Sequence, residues 1–292
     1  ALGQIGTELV EALSDRIGAG NVIATDVRES ENCRILDVMD TEGIDSLVKS
    51  EEITEIYHLA ALLSATGEKN PDRCWEINVG GLENVIAVAK KYECRLFAPS
   101  SIAVFGPDCP PVAPQFTPLN PTTIYGKTKV VGEQLAITSG VDMRGLRYPG
   151  LISYKAPAGG GTTDYAVEIF HAALIDGHYS CFVREDTKLP MMYMDDAIRA
   201  TLEIMDAPRE NLADARGGYN IAGFSFTVGE LVESIQRHLP NFTCEFIPDV
   251  RQKYADSWPN DIEDEVARNE WGWTPNFDLD TTVDAMFNGL QS

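Results

Sequence analysis

The sequence predicts an α/β fold: a doubly wound parallel sheet with helices on both faces, and a smaller mixed α/β lobe beside it. Three observations predict it. Strand-like apolar runs alternate with helix-like runs through the first half of the chain, the chain opens on glycines three residues apart, and the alternation breaks down after about residue 150. A length of 292 residues, 44% of them hydrophobic, is enough for a large core. The expected organisation is a sheet domain over 1–150 and a lobe over 151–292, with some segments of the lobe returning to the main sheet.

The opening Ala1-Leu2-Gly3-Gln4-Ile5-Gly6 fits the second half of a G-x-x-G-x-x-G dinucleotide turn, and a first strand and first glycine are expected ahead of Ala1. Gly3 lets the backbone approach a pyrophosphate, and Gly6 lets the next helix, 5–16, pack closely on the sheet. That helix aims its free amides and positive dipole end at the phosphates. The strand 21–26 ends in Asp26, 20 residues after Gly6. A carboxylate there binds the adenosine ribose hydroxyls, so the cofactor of this Rossmann-type fold is expected to be NAD rather than NADP. Arg28 is a nearby cation that softens the preference.

Further strands are expected at 33–38, 53–59, 94–100 and 143–148, and helices at 41–50, 72–92 and 122–138. Two connections are short for parallel crossovers, which points to incomplete loops near 30–34 and 137–140. After residue 150, Gly159-Gly160-Gly161-Thr162-Thr163-Asp164 reads as a loop entering a helix at 164–177, with Thr162 or Thr163 as N-cap. Helices follow at 195–206, 227–239, 263–271 and 280–290. A substrate belongs in the cleft between sheet and lobe.

The chemistry centres on Tyr125 and Lys129. Residues four apart share a helix face, and an ammonium beside a phenol favours the phenolate. A tyrosine tuned in this way is a general base for an alcohol. The strand ending Pro99-Ser100-Ser101 offers a hydroxyl to the same reacting oxygen. By itself the spacing also suits an ordinary surface helix; the opening glycines favour the catalytic reading.

Composition excludes several classes. The net charge of −22 argues against nucleic acid and anionic membranes as partners. No run is long enough to span a bilayer. The six cysteines and four histidines lack ligand spacing, so no metal is expected and the thiols read as reduced and structural. His58, in an apolar strand, reads as a core residue.

Together these residues resemble the extended branch of the short-chain dehydrogenase/reductase family, over nearly the whole chain. Asp37-Val38 resembles the pair that contacts adenine, and His58-Leu59-Ala60-Ala61 the strand end beside the cofactor ribose. Asn78-Val79 resembles a helical motif of the branch. Ser101, Tyr125 and Lys129 match its catalytic positions, and Arg147-Tyr148-Pro149-Gly150 the strand lining the nicotinamide. The resemblance implies NAD contacts from Gly3, Gln4, Ile5, Gly6, Asp26, Asp37, Val38, Leu59, Ala60, Ala61, Tyr125, Lys129, Tyr148 and Ile152.

Within the branch, Ala61-Leu62-Leu63-Ser64-Ala65, the glycine segment 159–165, Pro190-Met191-Met192-Tyr193-Met194 and Asp256-Ser257-Trp258-Pro259 resemble the short-chain L-threonine 3-dehydrogenases. That resemblance implies oxidation of L-threonine to L-2-amino-3-oxobutanoate, with Ser64, Ser101, Tyr125, Thr162 and Asp164 holding the substrate. It also implies a homodimer through helices near 72–92 and 122–138, and a cytoplasmic or mitochondrial-matrix location. The plainer reading, in which Thr162 and Asp164 only cap the helix 164–177, stays open. Two rivals remain: a nucleotide-sugar epimerase or dehydratase of the same branch, and a non-catalytic NAD sensor.

Overall fold

The computed structural model describes residues 1–157 and 159–292. Helix α1 (Gln4–Ile17) ends at Gly18, whose φ of 86° suits glycine. Strands β1 (Thr25–Asp26) and β2 (Arg34–Ile35) pair in parallel. The short link between them holds no helix and is closed by a bridge from Ser30 to Cys33. Helix α2 (Thr41–Ser50) starts at Asp40, whose side chain accepts from the Gly43 amide. Strand β3 (Glu55–Tyr57) leads to the short helix α3 (Ser64–Gly67).

The run expected as one helix over 72–92 is built in three pieces. These are α4 (Pro71–Trp75), a wide π-type turn (Glu76–Gly80) and α5 (Gly81–Tyr92). Such turns often mark functional sites, and this one carries Asn78. Then come β4 (Arg95–Phe97), β5 (Ser100–Ser101), β6 (Val112–Ala113) and α6 (Ile124–Thr138). Gly140, with φ 80°, turns the chain from α6 into β7 (Met143–Arg144). Next are β8 (Leu146–Tyr148) and β9 (Gly150–Ile152).

The later half holds α7 (Tyr165–Ile175), β10 (His178–Cys181), β11 (Lys188–Tyr193), α8 (Met194–Asp206) and β12 (Tyr219–Asn220). It continues with β13 (Phe224–Thr227), α9 (Val228–His238), β14 (Thr243–Phe246), α10 (Arg251–Ala255), β15 (Asp261–Ile262), α11 (Glu265–Trp271) and α12 (Leu279–Gln291). Thr227 and Glu230 form a reciprocal cap at the start of α9.

Parallel ladders join β3 to β4 and β4 to β7, with Ile56, Leu96 and Met143 in register. A second pair of ladders joins β5, β8 and β12 through Ser100, Arg147 and Asn220. β4 and β5 are one strand interrupted at Pro99, which has no N–H to donate. β7 and β8 are likewise interrupted at Gly145, whose amide turns to the Arg216 carbonyl. Leu96 faces Val48, Val85 and Ala89 of α2 and α5, while Phe97 faces Leu9 of α1 and Ala197 and Ile204 of α8. Successive side chains on opposite faces explain why helices cover both sides. Among the described residues β1 and β2 make no ladder to β3.

Arg144, 1% exposed, pairs with Asp142 and donates to the carbonyls of Ile204, Met205 and Ala207, closing the end of α8. A third core, with Phe170, Leu189, Phe226 and Met286, fills the lobe. Among the described residues no helix is long and apolar enough to cross a membrane.

Candidate active site

A cleft runs from the start of α1, past the ends of β1, β3 and β5, to the glycine segment before α7. At one end Gly3 is the N-cap of α1, with no side-chain cap and no acid in the first turn. The first amides of the helix are therefore left for an anion. A Cβ at Gly3 would meet nothing within 4 Å, whereas one at Gly6 would lie 2.4 Å from the Ala1 carbonyl oxygen. Gly3 faces the cleft, and Gly6 is needed for close backbone approach. The Nε2 of Gln4 is buried without a partner. An unsatisfied donor beside free helix amides fits a phosphate-bearing cofactor.

Asp26, at the end of β1, lines the same cleft. Desolvation raises its pKa, but hydrogen bonds from Arg28 and the Leu2 amide outweigh this and hold the carboxyl well below its usual range. Asp37, Val38, Leu59, Ala60 and Ala61 also line the cleft. His58 is buried, and desolvation with the nearby Lys129 charge takes its imidazole down to about 4, so it is neutral near pH 7.

Ser101 closes β5 and its Oγ accepts from the Ala103 amide at 3.2 Å. Thr123 caps α6 and presents Tyr125 on the first turn, with Lys129 one turn on. Tyr125, Lys129 and Ser101 all face the cleft. The Lys129 Nζ donates to the Pro99 carbonyl at 2.7 Å and lies 5.5 Å from the centre of the Tyr125 ring. The expected lowering of the phenol by Lys129 is corrected here. Desolvation pushes Tyr125 up to about 12, and the Ser101 hydroxyl pulls it partly back. Lys129 is itself desolvated, which takes its ammonium down to about 8.

At the far end the hydroxyls of Ser64 and Thr162 are buried and 3.1 Å apart. Asp164 occupies the N-cap position of α7, yet its side chain caps nothing there. Its Oδ2 turns back to accept from the amides of Gly160 and Gly161, at 2.7 Å each. Burial raises its pKa, with those amides opposing. The expectation of a cap from Thr162 or Thr163 is therefore corrected: the acid follows them and bonds the glycine segment.

Gly3, Gln4, Ile5, Gly6, Ser64, Thr162 and Asp164 share the cleft with the Tyr125 cluster. Ile152 does not: it is fully buried in the lobe core, while its neighbour Leu151 lines the cleft. Alternation along β9 puts the two on opposite faces. Tyr148 lines the cleft, but its hydroxyl is buried against Thr201. The sequence reading missed Arg73 and Thr66 on the cleft wall. Nothing local marks them, because they reach the cleft only once α3 and α4 fold over it.

Residues 1–222 match the model of the NAD dependent epimerase/dehydratase family. A Staphylococcus aureus protein described as an uncharacterized epimerase/dehydratase is 45% identical, across 100% of this chain and 95% of its own length. That alignment spans 305 positions against 292 residues here, so the relative carries internal residues that this chain lacks. Among solved structures, a GalE-like L-threonine dehydrogenase from Cupriavidus necator, in holo form, is 47% identical with TM-score 0.96, covering 99% of this chain and 97% of that one. A monomeric L-threonine 3-dehydrogenase from a metagenome is 49% identical over the same shares, again with TM-score 0.96. An L-threonine dehydrogenase from Clostridium difficile is 42% identical with TM-score 0.96, covering 99% of this chain and 95% of its own. By sequence and by fold, the chain belongs to the NAD dependent epimerase/dehydratase family.

Proposed function

We propose that the protein is an NAD-dependent L-threonine 3-dehydrogenase, oxidising the β-hydroxyl of L-threonine to give L-2-amino-3-oxobutanoate. The observation that carries this reading is one cleft with anion-ready amides at one end, Tyr125, Lys129 and Ser101 in the middle, and Ser64, Thr162 and Asp164 at the other. NAD, when bound, supplies the hydride acceptor. Gly3, Gln4, Ile5 and the start of α1 hold the pyrophosphate, and Gly6 keeps that helix close. Asp26 takes the adenosine ribose, while Asp37 and Val38 border the adenine. Leu59, Ala60, Ala61 and Tyr148 line the rest of the cofactor's path.

Tyr125 takes the proton from the threonine hydroxyl as the hydride leaves the β-carbon. Ser101 hydrogen-bonds the same oxygen. The Lys129 cation, 5.5 Å from the ring centre, opposes the desolvation of Tyr125 by favouring the phenolate that accepts this proton. Asp164 is a half-buried carboxylate whose Oδ1 has no hydrogen-bond donor among the described residues, which supports a role as partner of the substrate ammonium. Ser64 and Thr162 offer hydroxyls to the substrate carboxylate. In this reading the lobe from 151 onward is the substrate lobe.

The assembly we propose is a homodimer through α4, α5 and α6. Trp75 and Ile137, 43% and 41% exposed, support an apolar contact on these helices. Light scattering after gel filtration tests it, and a monomeric mass sinks it. The six free cysteines suit a reducing compartment, the cytoplasm or a mitochondrial matrix.

The test of function is NADH formation from NAD with L-threonine, and separately with UDP-sugars. An epimerase returns its hydride and accumulates no NADH. NADH with threonine alone supports the proposal; its absence with threonine overturns it.

A further inference from the structure

We infer that Glu68 is a positioning residue for Tyr125, a role that rests on the reading of Tyr125 as the base. The Oε1 of Glu68 accepts from the backbone amide of Ile124 at 2.5 Å. Ile124 is the first residue of α6, so its amide has no partner inside the helix. Thr123 cannot serve it, because its hydroxyl takes the Gly126 amide at 3.0 Å. Tyr125 is the next residue along. A carboxylate at this helix end is also favoured by the dipole.

Glu68 follows directly on α3, and its own amide bonds the Ser64 carbonyl at 3.2 Å. One helical turn therefore carries Ser64, paired with Thr162, at its start and the anchor of the catalytic helix at its end. The same segment grips α6 a second time. The Leu62 amide donates to Asn78 Oδ1 at 2.8 Å, Asn78 Nδ2 donates to Thr128 Oγ1 at 3.2 Å, and Thr128 Oγ1 donates to the Tyr125 carbonyl at 2.7 Å. Tyr125 is thus bracketed between two clamps from residues 62–68. There is little room to slide: a Cβ on Gly67 would lie 2.8 Å from Cys74 Sγ. Loss of the Glu68 clamp frees the first turn of α6, where the phenol stands.

The test compares Glu68→Ala, Glu68→Gln and Glu68→Asp in the full chain, with L-threonine and NAD. Misplacement by about 1 Å costs on the order of 100-fold, so Glu68→Ala should lower kcat about 10–100-fold while either KM moves less than about threefold. Glutamine still offers an accepting oxygen, so kcat should return to within about threefold of wild type. A merely structural role would lower stability without that split or that rescue. If Glu68→Ala does not fold, Glu68→Asp serves, because the shorter acid falls short of Ile124 and kcat must fall. Unchanged kcat in Glu68→Ala or Glu68→Asp overturns the inference, as does equal loss in Glu68→Ala and Glu68→Gln. Tyr125→Phe separates the two claims. If it stays active, the underlying reading falls; if it is inactive while Glu68→Ala matches wild type, only the present inference falls.

Discussion

Lys129 donates to the carbonyl of Pro99 at 2.7 Å, at the point where the β4–β5 strand loses its ladder. The ammonium is therefore tied to the strand that presents Ser101. Catalytic helix and catalytic strand are fastened to each other beside the phenol.

Tyr125→Phe keeps the ring and removes the proton acceptor. Threonine oxidation should fall by about 100- to 10,000-fold, the range for a lost general base. Steady-state NADH formation, with cofactor binding measured by titration, checks it. Near-normal turnover with intact binding ends the assignment.

Lys129 carries a stability signature of its own. Its folded pKa of about 8 lies below the ~10.4 of an unfolded lysine. The unfolded chain binds the extra proton between these values, so burial of this group opposes folding below pH 8 and the penalty fades as pH rises towards ~10.4. Lys129→Met should therefore be inactive yet melt higher than wild type at pH 7, with the difference shrinking towards pH 10. A lower melting temperature at pH 7 contradicts the sign.

Asp164→Asn removes a charge while keeping one accepting oxygen. Hydrogen bonds to charged groups are worth about 1.5–3 kcal/mol, so the threonine KM should rise by roughly 10- to 100-fold. Hydrogen exchange should also quicken at the amides of Gly160 and Gly161, which this carboxylate holds. Unchanged KM removes Asp164 from the ammonium contact.

Glu133 and Arg147 form a bidentate pair with side chains 11% and 6% exposed, and Glu133 also accepts from Ser100. Glu133→Ala strands a buried guanidinium, which should cost about 3–5 kcal/mol in chemical denaturation. A loss under about 1 kcal/mol would mean that Arg147 finds water or another acceptor.

The parts of this site that were legible in sequence are those set by local periodicity. Tyr125 and Lys129 are one turn apart, Asp26 ends a strand, and the helices fall within a few residues of their patterns. What stayed hidden depends on contacts distant in sequence. Glu68 meets Ile124 across 56 residues. Arg144 looks like a surface cation until the end of α8 wraps it. Ile152 misleads because a strand buried on both sides gives no polar residue to mark the cleft face. The wide turn at Asn78 is invisible in an apolar pattern that continues through it.

Trp258 belongs to the lobe, yet it stands on the wall of the cleft, 8% exposed. Trp271 and Trp273 sit against each other, 5.9 Å between ring centres, on the α11 side of the molecule. The chain thus contains its own optical reporter. Indole emission should be quenched when a nicotinamide enters, so cofactor occupancy can be followed in unmodified protein, with Trp258→Phe isolating the share due to the cleft tryptophan.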